Sequence, residues 1–376
     1  MRIAVPKESA PRELRVALVP ESCKKLIQAG YEISVESGAG TAAGFPDSAY
    51  RDVGATVTAD ASGLLGSADL VLAVNPPDAS RMRPGTILLG SLMPLRNLAA
   101  VRALAAAKVT AFSTDAIPRT TRAQAMDTLS SMANIAGYKG ALLAATELPK
   151  YFPMLMTAAG MVRPARVFVV GAAVAGLQAI ATARRLGATV VATDVRPEVK
   201  EQIESVGGKY VGIELAESAV AGGGYAKELS DADRVRQREL LAEQCAQADA
   251  VITTALIGGV FAPKLLTAEM VKAMRPGAVV VDLAADGGGN CELSRPGETV
   301  QVGTVRIIAP LNLAATMPSD ASLLFSRNLT AFVQTFTAEK VFRLDFTDDI
   351  QQGALITHDG EIKHERTREA LAKESA

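Results

Sequence analysis

Two groups of residues in this chain have types and spacing that could carry chemistry. The first is the glycine turn GAAVAG at residues 171–176, followed along the chain by Asp194. Glycines let the backbone approach a pyrophosphate at a helix N-terminus, and an acid at the end of the next strand accepts hydrogen bonds from ribose hydroxyls. Because a carboxylate repels a 2′-phosphate, the pattern predicts a site for NAD(H) rather than NADP(H).

The turn departs from the usual G-x-G-x-x-G pattern, because Ala173 replaces the middle glycine. We expect its methyl group to face the pyrophosphate and to weaken its binding or displace it. A Rossmann-like fold without a working cofactor site is the alternative interpretation. The strand, helix and acid that flank the turn favour a working site.

Two loops that follow predicted strands are expected at the same carboxyl edge of the sheet, where ligands bind. They are TTALIGG at residues 253–259 and DLAADGGGNC at residues 282–291. Glycine runs permit close approach to a ligand, although a flexible loop is the alternative for the second segment. The predicted cofactor contacts of the turn and the two loops are Gly171, Ala173, Val174, Ala175, Gly176, Asp194, Thr254, Ala255, Leu256 and Asn290.

The second group lies at residues 119–131 and includes Arg119, Gln124, Asp127 and Ser130. One interpretation is a capped helix N-terminus, with Asp127 as the cap and Ser130 three residues later. The other is a polar clamp at the domain junction. In that clamp the acid and the hydroxyl hold a carboxamide or a ribose, and an arginine meets a phosphate or carboxamide oxygen.

The placement of acid–base groups limits the chemistry. Both histidines, His358 and His364, lie near the C-terminus, so the first third of the chain offers no histidine for proton transfer. Lys7, Glu8 and Arg15 have the charges to bind a carboxylate, but a surface role explains their spacing equally well.

Short apolar strands alternate with helices, which predicts an α/β fold. Residues 166–194 form a βαβ unit with strands at 166–170 and 189–193 and a helix at 177–186. We predict two Rossmann-like lobes with parallel sheets and a cleft between them. Residues 1–128 plus 313–376 form a discontinuous first lobe, and residues 129–312 form the NAD-binding domain.

The C-terminal region does not complete a Rossmann sheet and is expected to return to the first lobe. Ser319 and Asp320 are predicted to cap a helix over residues 322–336. Edge strands at residues 342–346 and 354–357 and a charged, frayed tail follow. Residues 214–229, with three consecutive glycines and Tyr225, predict a mobile insertion.

Composition excludes several classes of partner. The net charge is −1, basic residues are spread along the chain and aromatic residues make up 4%, so nucleic acid is not an expected partner. Cys23, Cys245 and Cys291 lack the spacing of a metal site or a disulfide framework, which suits a reducing cytosol. The sequence shows neither a signal peptide nor a membrane span, which predicts a soluble protein.

Taken together, these segments resemble the soluble NAD(H)-binding part of the alpha subunit of proton-translocating NAD(P) transhydrogenases. The resemblance covers nearly the whole chain and extends to the wider alanine dehydrogenase/transhydrogenase family. Its most specific segments are PRTTRAQAMDTLSSMANIAGY at 118–138 and GGYAKE at 223–228; others are RVALVPE at 15–21, TDVRPEVKEQ at 193–202 and DLAADGGGNCE at 282–292. Gly258 and Gly259 stand where the family more usually has proline and glycine.

The resemblance implies direct hydride transfer from NADH bound here to NADP⁺ on a separate component, coupled to proton movement through a membrane component. The residues implied to contact the nicotinamide end are Arg119, Gln124, Asp127 and Ser130. Val195 and Arg196 join the implied cofactor contacts, and Tyr225 lies on a loop that closes over NAD(H). Hydride transfer between two nicotinamides needs no acid or base, which agrees with the missing histidine.

The implied partners are the NADP(H)-binding and membrane-spanning transhydrogenase subunits and a second copy of this chain as a homodimer. The implied location is cytoplasmic, peripheral to the inner membrane. Alanine dehydrogenase is the first alternative. It resembles this chain in fold but uses a first-lobe histidine and lysine, and Asn75 stands where the lysine is expected. A non-catalytic NAD-binding homologue is the second alternative.

Overall fold

A computed structural model describes residues 1–213, 230–256 and 261–374 of the chain. The chain divides into two compact units. Unit 1 comprises residues 1–132 and 315–376, and unit 2 comprises residues 133–314. The sequence places these boundaries at 128/129 and 312/313.

The strands of the two units are short, as is usual where helices cover both faces of a sheet. In chain order they are β1 Arg2–Val5, β2 Glu32–Glu36, β3 Thr56–Thr58, β4 Leu70–Leu72, β5 Ile87–Gly90, β6 Thr110–Ser113, β7 Leu155–Thr157, β8 Gly160–Val162, β9 Arg166–Val170, β10 Thr189–Thr193, β11 Lys209–Tyr210, β12 Ala250–Thr253, β13 Val279–Asp282, β14 Thr299–Val302, β15 Val305–Ile308, β16 Thr337–Ala338, β17 Val341–Phe342, β18 Leu355–His358 and β19 Glu361–Ile362.

The helices connect the strands in both units. They are α1 Pro20–Gln28, α2 Asp47–Asp52, α3 Ala61–Ser67, α4 Leu98–Ala106, α5 Thr128–Glu147, α6 Val174–Arg185, α7 Val199–Ser205, α8 Asp231–Gln247, α9 Ala268–Lys272, α10 Pro318–Thr335, α11 Asp349–Ala354 and α12 Glu365–Glu374. A 3₁₀ turn, Thr121–Met126, immediately precedes α5. Within the described ranges, no helix combines the length and the apolar character that crossing a bilayer requires.

Unit 1 is built on an eight-stranded sheet with the order β19-β18-β6-β5-β4-β1-β2-β3. The six strands from the N-terminal part are parallel, and β18 adds antiparallel to β6. The chain therefore returns to unit 1 after residue 314. Helix α10 packs its apolar side on the sheet, where Phe332 lies 5.6 Å from Phe112 between ring centroids.

Unit 2 contains a seven-stranded sheet with the order β11-β10-β9-β12-β13-β15-β14. Its strands are parallel except β14, which pairs antiparallel with β15. Without β14 this is the 3-2-1-4-5-6 order of a dinucleotide-binding fold. The order reverses between β9 and β12, so a ligand is expected at their carboxyl ends. The α/β architecture with Rossmann-like parallel sheets confirms the predicted fold class.

The C-terminal region differs from the sequence prediction in several details. Helix α10 begins at Pro318, because proline fits the first turn of a helix, and Ser319 donates instead to the carbonyl of Ala43 at 2.7 Å. The predicted cap by Ser319 and Asp320 is therefore wrong. The strand expected at 342–346 ends at Phe342, since Gln351 bonds the backbone beyond it.

Strand β18 also differs, because it lies between β6 and β19 and is not an edge strand. The tail expected to fray forms α12, which buries Thr367 and Leu371. The strand pairings that were not predicted from the sequence include β14 with β15 and the hairpin of β7 and β8. Those strands are short and partly exposed, so they lack the apolar runs that identify buried strands.

Candidate functional site

The glycine turn in unit 2 joins β9 to α6 and is built on two glycines with different roles. Gly171 has φ +92°, which L side chains rarely adopt. A Cβ on Gly176 would lie 1.9 Å from the carbonyl oxygen of Gly171, so only glycine allows the helix to start so close to the strand. The first N–H groups of α6 have no partner within the helix and are suited to an anion. The two glycines and the first N–H groups of α6 are therefore suited to hold a pyrophosphate.

Ala173 is the residue before α6, with φ −76° and ψ −164°. This is ordinary extended backbone, so the position does not require glycine for conformational reasons. Its side chain is exposed and makes no capping hydrogen bond. The turn therefore accommodates the methyl group without strain, and any effect of Ala173 acts on the ligand directly.

Asp194 follows β10, and both of its carboxylate oxygens accept hydrogen bonds from the protein. One oxygen accepts from the Ala172 N–H at 2.8 Å, which ties the acid to the glycine turn. Arg196 donates to both oxygens, with Nε at 2.9 Å from one and Nη2 at 3.0 Å from the other. The hydrogen bonding that Arg196 donates to Asp194 raises the pKa of Arg196 above its ordinary value.

This pairing changes the electrostatics expected from the sequence. The guanidinium of Arg196 balances the carboxylate of Asp194 that is predicted to repel a 2′-phosphate. Ribose hydroxyls therefore have to share Asp194 with Arg196 or displace it. Discrimination between NAD(H) and NADP(H) at this position depends on both residues.

The loops after β12 and β13 meet at Asn290. Thr254 donates from its hydroxyl to the Gly171 carbonyl at 3.0 Å, so the first loop is tied to the glycine turn. Asn290 is fully buried. Its Oδ1 accepts a hydrogen bond from the Ala255 N–H at 2.9 Å. Its Nδ2 donates to the carbonyl oxygens of Ala255 and Pro263, each at 2.8 Å. Asn290 therefore holds the loop in place, and its direct contact with the cofactor stays a prediction. Leu256 is exposed beyond it.

The polar segment of unit 1 runs through the 3₁₀ turn into α5. Asp127 immediately precedes the helix, and its carboxylate accepts from the Ser130 N–H at 2.8 Å and from the Ser130 hydroxyl at 2.5 Å. Asp127 therefore caps the N-terminus of α5, as one of the two interpretations predicted. Arg119 and Gln124 are exposed on the same segment. The cap fixes Asp127 and Ser130 and leaves Gln124 presented to solvent.

A half-buried to buried polar cluster, which was not predicted from the sequence, lies where β1 and β4 end in unit 1. Arg15 donates to Glu13 through Nε at 2.7 Å and Nη2 at 2.6 Å. Asn75 donates from its amide to Glu8 at 3.0 Å and to Glu13 at 3.1 Å. Glu8, Arg15 and Asn75 each stand out in the sequence, but nothing in it predicts that they form one cluster.

The two acids of this cluster differ in protonation behaviour. Burial raises the pKa of Glu8 to about 7, although hydrogen bonds from Asn75 and the Val74 N–H act against the rise. Burial also acts to raise the pKa of Glu13, but the hydrogen bonds and charge of Arg15 outweigh it and lower that pKa. Arg15 is 9% exposed and already forms a two-point ion pair. A ligand carboxylate would therefore have to compete with Glu13 for these donors.

Three predicted features lie outside the described residues. They are Tyr225 and its insertion at 214–229, and the glycine pair Gly258 and Gly259. The remaining predicted contacts, Val174, Ala175 and Val195, lie in or beside the turn and the end of β10.

Comparison with known proteins identifies the family. The model of the alanine dehydrogenase/PNT N-terminal domain matches residues 4–136, and that of the C-terminal domain matches residues 140–365. A Rhodospirillum rubrum protein, named as the first part of NAD(P) transhydrogenase subunit alpha, is 44% identical, covering 97% of this chain and 98% of the relative. The NAD(P) transhydrogenase subunit alpha of Haemophilus influenzae is 40% identical, covering 96% of this chain and 71% of the relative.

A solved structure agrees with these relatives. The transhydrogenase from Sinorhizobium meliloti superposes with a TM-score of 0.87 at 44% identity, covering 96% of this chain and all of that chain. The sequence matches extend through both units and include the segments on which the predicted resemblance rests. The chain therefore belongs to the alanine dehydrogenase/PNT family and is a homologue of the NAD(P) transhydrogenase alpha subunits within it.

Proposed function

We propose that this chain is the NAD(H)-binding subunit of a proton-translocating NAD(P) transhydrogenase. In the proposed reaction the C4–H bond of NADH breaks and the hydride moves to C4 of NADP⁺ on a separate component, giving NAD⁺ and NADPH. A membrane-spanning component couples this exchange to proton translocation. The chain turns over only together with these partners.

The strand order of unit 2 and the glycine turn support the NAD(H) part of this proposal. Gly176 lets α6 start against the carboxyl end of β9, because a Cβ at that position would clash with the carbonyl oxygen of Gly171. Asp194 and Arg196 lie beside the turn, at the end of β10, where a ribose is expected. We propose that the turn holds the pyrophosphate and that Thr254, Ala255 and Leu256 line the site, with Asn290 holding their loop.

The choice between two activities of the family rests on the polar cluster of unit 1. An enzyme that oxidises an amino acid has to bind a carboxylate and to move a proton. Here the guanidinium of Arg15 is paired with Glu13, and Asn75 takes the place of the expected lysine and bonds both acids. Each of these hydrogen bonds joins two members of the cluster. This observation favours transhydrogenation over alanine oxidation.

Residues of the segment before α5 are proposed to orient the nicotinamide. Asp127 and Ser130 hold one another in a fixed geometry, and Arg119 and Gln124 are exposed next to them. Since the hydride moves without a proton, the contribution of these residues is to hold the reacting carbons at a productive distance and angle. Gln124 is proposed to reach the partner's nucleotide.

The subunit arrangement is also a proposal. The name of the Rhodospirillum rubrum relative makes it one portion of a divided alpha subunit, which supports the existence of further components. We propose that this chain forms a homodimer and binds NADP(H)-binding and membrane-spanning subunits, which hold it at the cytoplasmic side of the inner membrane.

Steady-state assays separate the proposed function from its alternatives. The isolated chain is given NADH with pyruvate and ammonium, and NAD⁺ with alanine; the chain combined with its partner subunits is given NADH and NADP⁺. We expect turnover only in the combined sample. Turnover of alanine or pyruvate by the isolated chain would support alanine dehydrogenase instead. Failure to bind NADH at millimolar concentration, measured by fluorescence, would leave only a scaffold that kept the fold.

A further inference from the structure

Asn328 joins α10 to the segment that carries the predicted nicotinamide contacts. Its side chain is 8% exposed. Its Nδ2 donates to the carbonyl oxygen of Ala125 at 2.8 Å, and its Oδ1 accepts from the Ser131 hydroxyl at 2.8 Å. One planar amide therefore uses both its donor and its acceptor on residues 203 and 197 positions earlier in the chain.

The two bonds of Asn328 lie on either side of two of the predicted contacts, Asp127 and Ser130. Ala125 follows Gln124 in the 3₁₀ turn, and Ser131 follows Ser130 in the first turn of α5. Asp127 lies between them and bonds Ser130. A short 3₁₀ turn has poor hydrogen-bond geometry of its own, so its conformation depends on contacts of this kind. Asn328 fixes both ends of the stretch in which Asp127 and Ser130 lie.

We propose that Asn328 is a positioning residue for hydride transfer, an inference that rests on the proposed function. It acts through the backbone at Ala125 and the side chain of Ser131. A reaction that depends on orientation loses about 100-fold in rate when a reacting group is displaced by about 1 Å. Loss of the Asn328 bonds therefore lowers kcat, while the glycine turn of unit 2 and its affinity for NADH are unaffected.

The variant Asn328→Asp tests this role with little change in side-chain volume. It keeps an acceptor for Ser131 but places an oxygen against the carbonyl of Ala125 in place of a donor. Thr330→Val is the matched control, since Thr330 is 5% exposed on the same helix and its hydroxyl donates at 2.7 Å to the Ser326 carbonyl within α10. Both variants lose one buried hydrogen bond, but only the first loosens the segment.

Transhydrogenation is measured with the full chain combined with its partner subunits. For Asn328→Asp we expect kcat to fall about 10- to 100-fold and KM for NADH to change less than about threefold. Thr330→Val should keep kcat within about twofold of wild type. In a double-mutant cycle, Asn328→Ala and Ser131→Ala should be clearly non-additive in kcat. Equal kcat losses in Asn328→Asp and Thr330→Val, or additive losses in the cycle, would overturn the positioning role.

Amide hydrogen exchange gives a readout that does not depend on activity. Exchange in residues 124–131 should be about tenfold faster in Asn328→Asp than in wild type and unchanged in Thr330→Val. If wild type shows no transhydrogenation, the proposed function is wrong, and so is the role of Asn328 in hydride transfer. If wild type is active and exchange in Asn328→Asp matches wild type, the positioning role fails alone.

Discussion

A single methyl group added at Gly176 tests whether the glycine turn carries NADH. In Gly176→Ala the new Cβ lies 1.9 Å from the carbonyl oxygen of Gly171. A carbon and an oxygen normally stay about 3.3 Å apart, so the strand end and the helix start have to separate by about 1.4 Å. Overpacking of this kind costs about 1–3 kcal/mol of unfolding free energy.

The same displacement moves the first N–H groups of α6 away from the pyrophosphate. Loss of one hydrogen bond to a charged group costs about 1.5–3 kcal/mol, which corresponds to about 10- to 150-fold weaker binding. Titration of NADH by fluorescence measures the affinity, and urea unfolding of the same sample measures the change in stability. We expect both quantities to fall in Gly176→Ala.

Ala173→Gly is the control, because it removes a methyl group three positions earlier in the same turn. Ala173 has extended backbone and an exposed side chain, so its replacement creates no clash or strain. Glycine is also a better residue than alanine before a helix. We expect NADH to bind equally or more tightly. A folded Gly176→Ala variant with wild-type NADH affinity would refute the assignment of the pyrophosphate to this turn.

Three further predictions concern acids outside the turn. Asp127→Asn should slow hydride transfer about tenfold or more through loss of orientation, with a smaller loss of NADH affinity; equal losses in single-turnover rate and binding would contradict that role. Asp194→Asn keeps an oxygen for the Ala172 N–H but leaves Arg196 without its counter-charge. The ratio of NADPH affinity to NADH affinity should therefore rise about tenfold. An unchanged ratio in parallel titrations would show that Asp194 does not select the nucleotide. Glu8 has its pKa raised from 4.5 to about 7 in the folded chain, so its stabilisation is complete below about pH 4.5 and is lost as the pH rises through 7. The contribution of Glu8 to the free energy of unfolding is at most about 3 kcal/mol. In urea unfolding, Glu8→Gln should lose less stability between pH 5 and pH 8 than wild type does. The same loss in both proteins would rule out Glu8 as the source of the pH dependence.

The sequence predicted the parts of the fold that depend on local patterns. Strand β9 is rich in β-branched residues and buried from Val167 onward, and Gly187 has the positive φ of a helix end. Helix α6 begins at Val174, earlier than predicted, because residues 174–176 look like turn residues but form the first helical turn. Helix α12 was missed since its surface is charged and it buries few residues.

Contacts between distant parts of the chain left no signal in the sequence. The pairing of Arg15 with Glu13 could be suspected from their spacing, but their link to Asn75 arises only when β1 and β4 pair in the sheet. The bonds of Asn328 to Ala125 and Ser131 are of the same kind. Asp194 was predicted from its place after a strand, yet its neutralisation by Arg196 depends on side-chain geometry.

Isotope transfer tests the central claim, direct hydride exchange between two nicotinamides, most directly. The chain is combined with its partner subunits and given NADP⁺ and NADH that carries deuterium at both C4 positions. Mass spectrometry of the NADPH formed should show one deuterium per molecule, because the hydride passes from C4 to C4 without exchange with water. NADPH that contains solvent hydrogen at C4 in place of deuterium would contradict direct transfer and with it the proposed function.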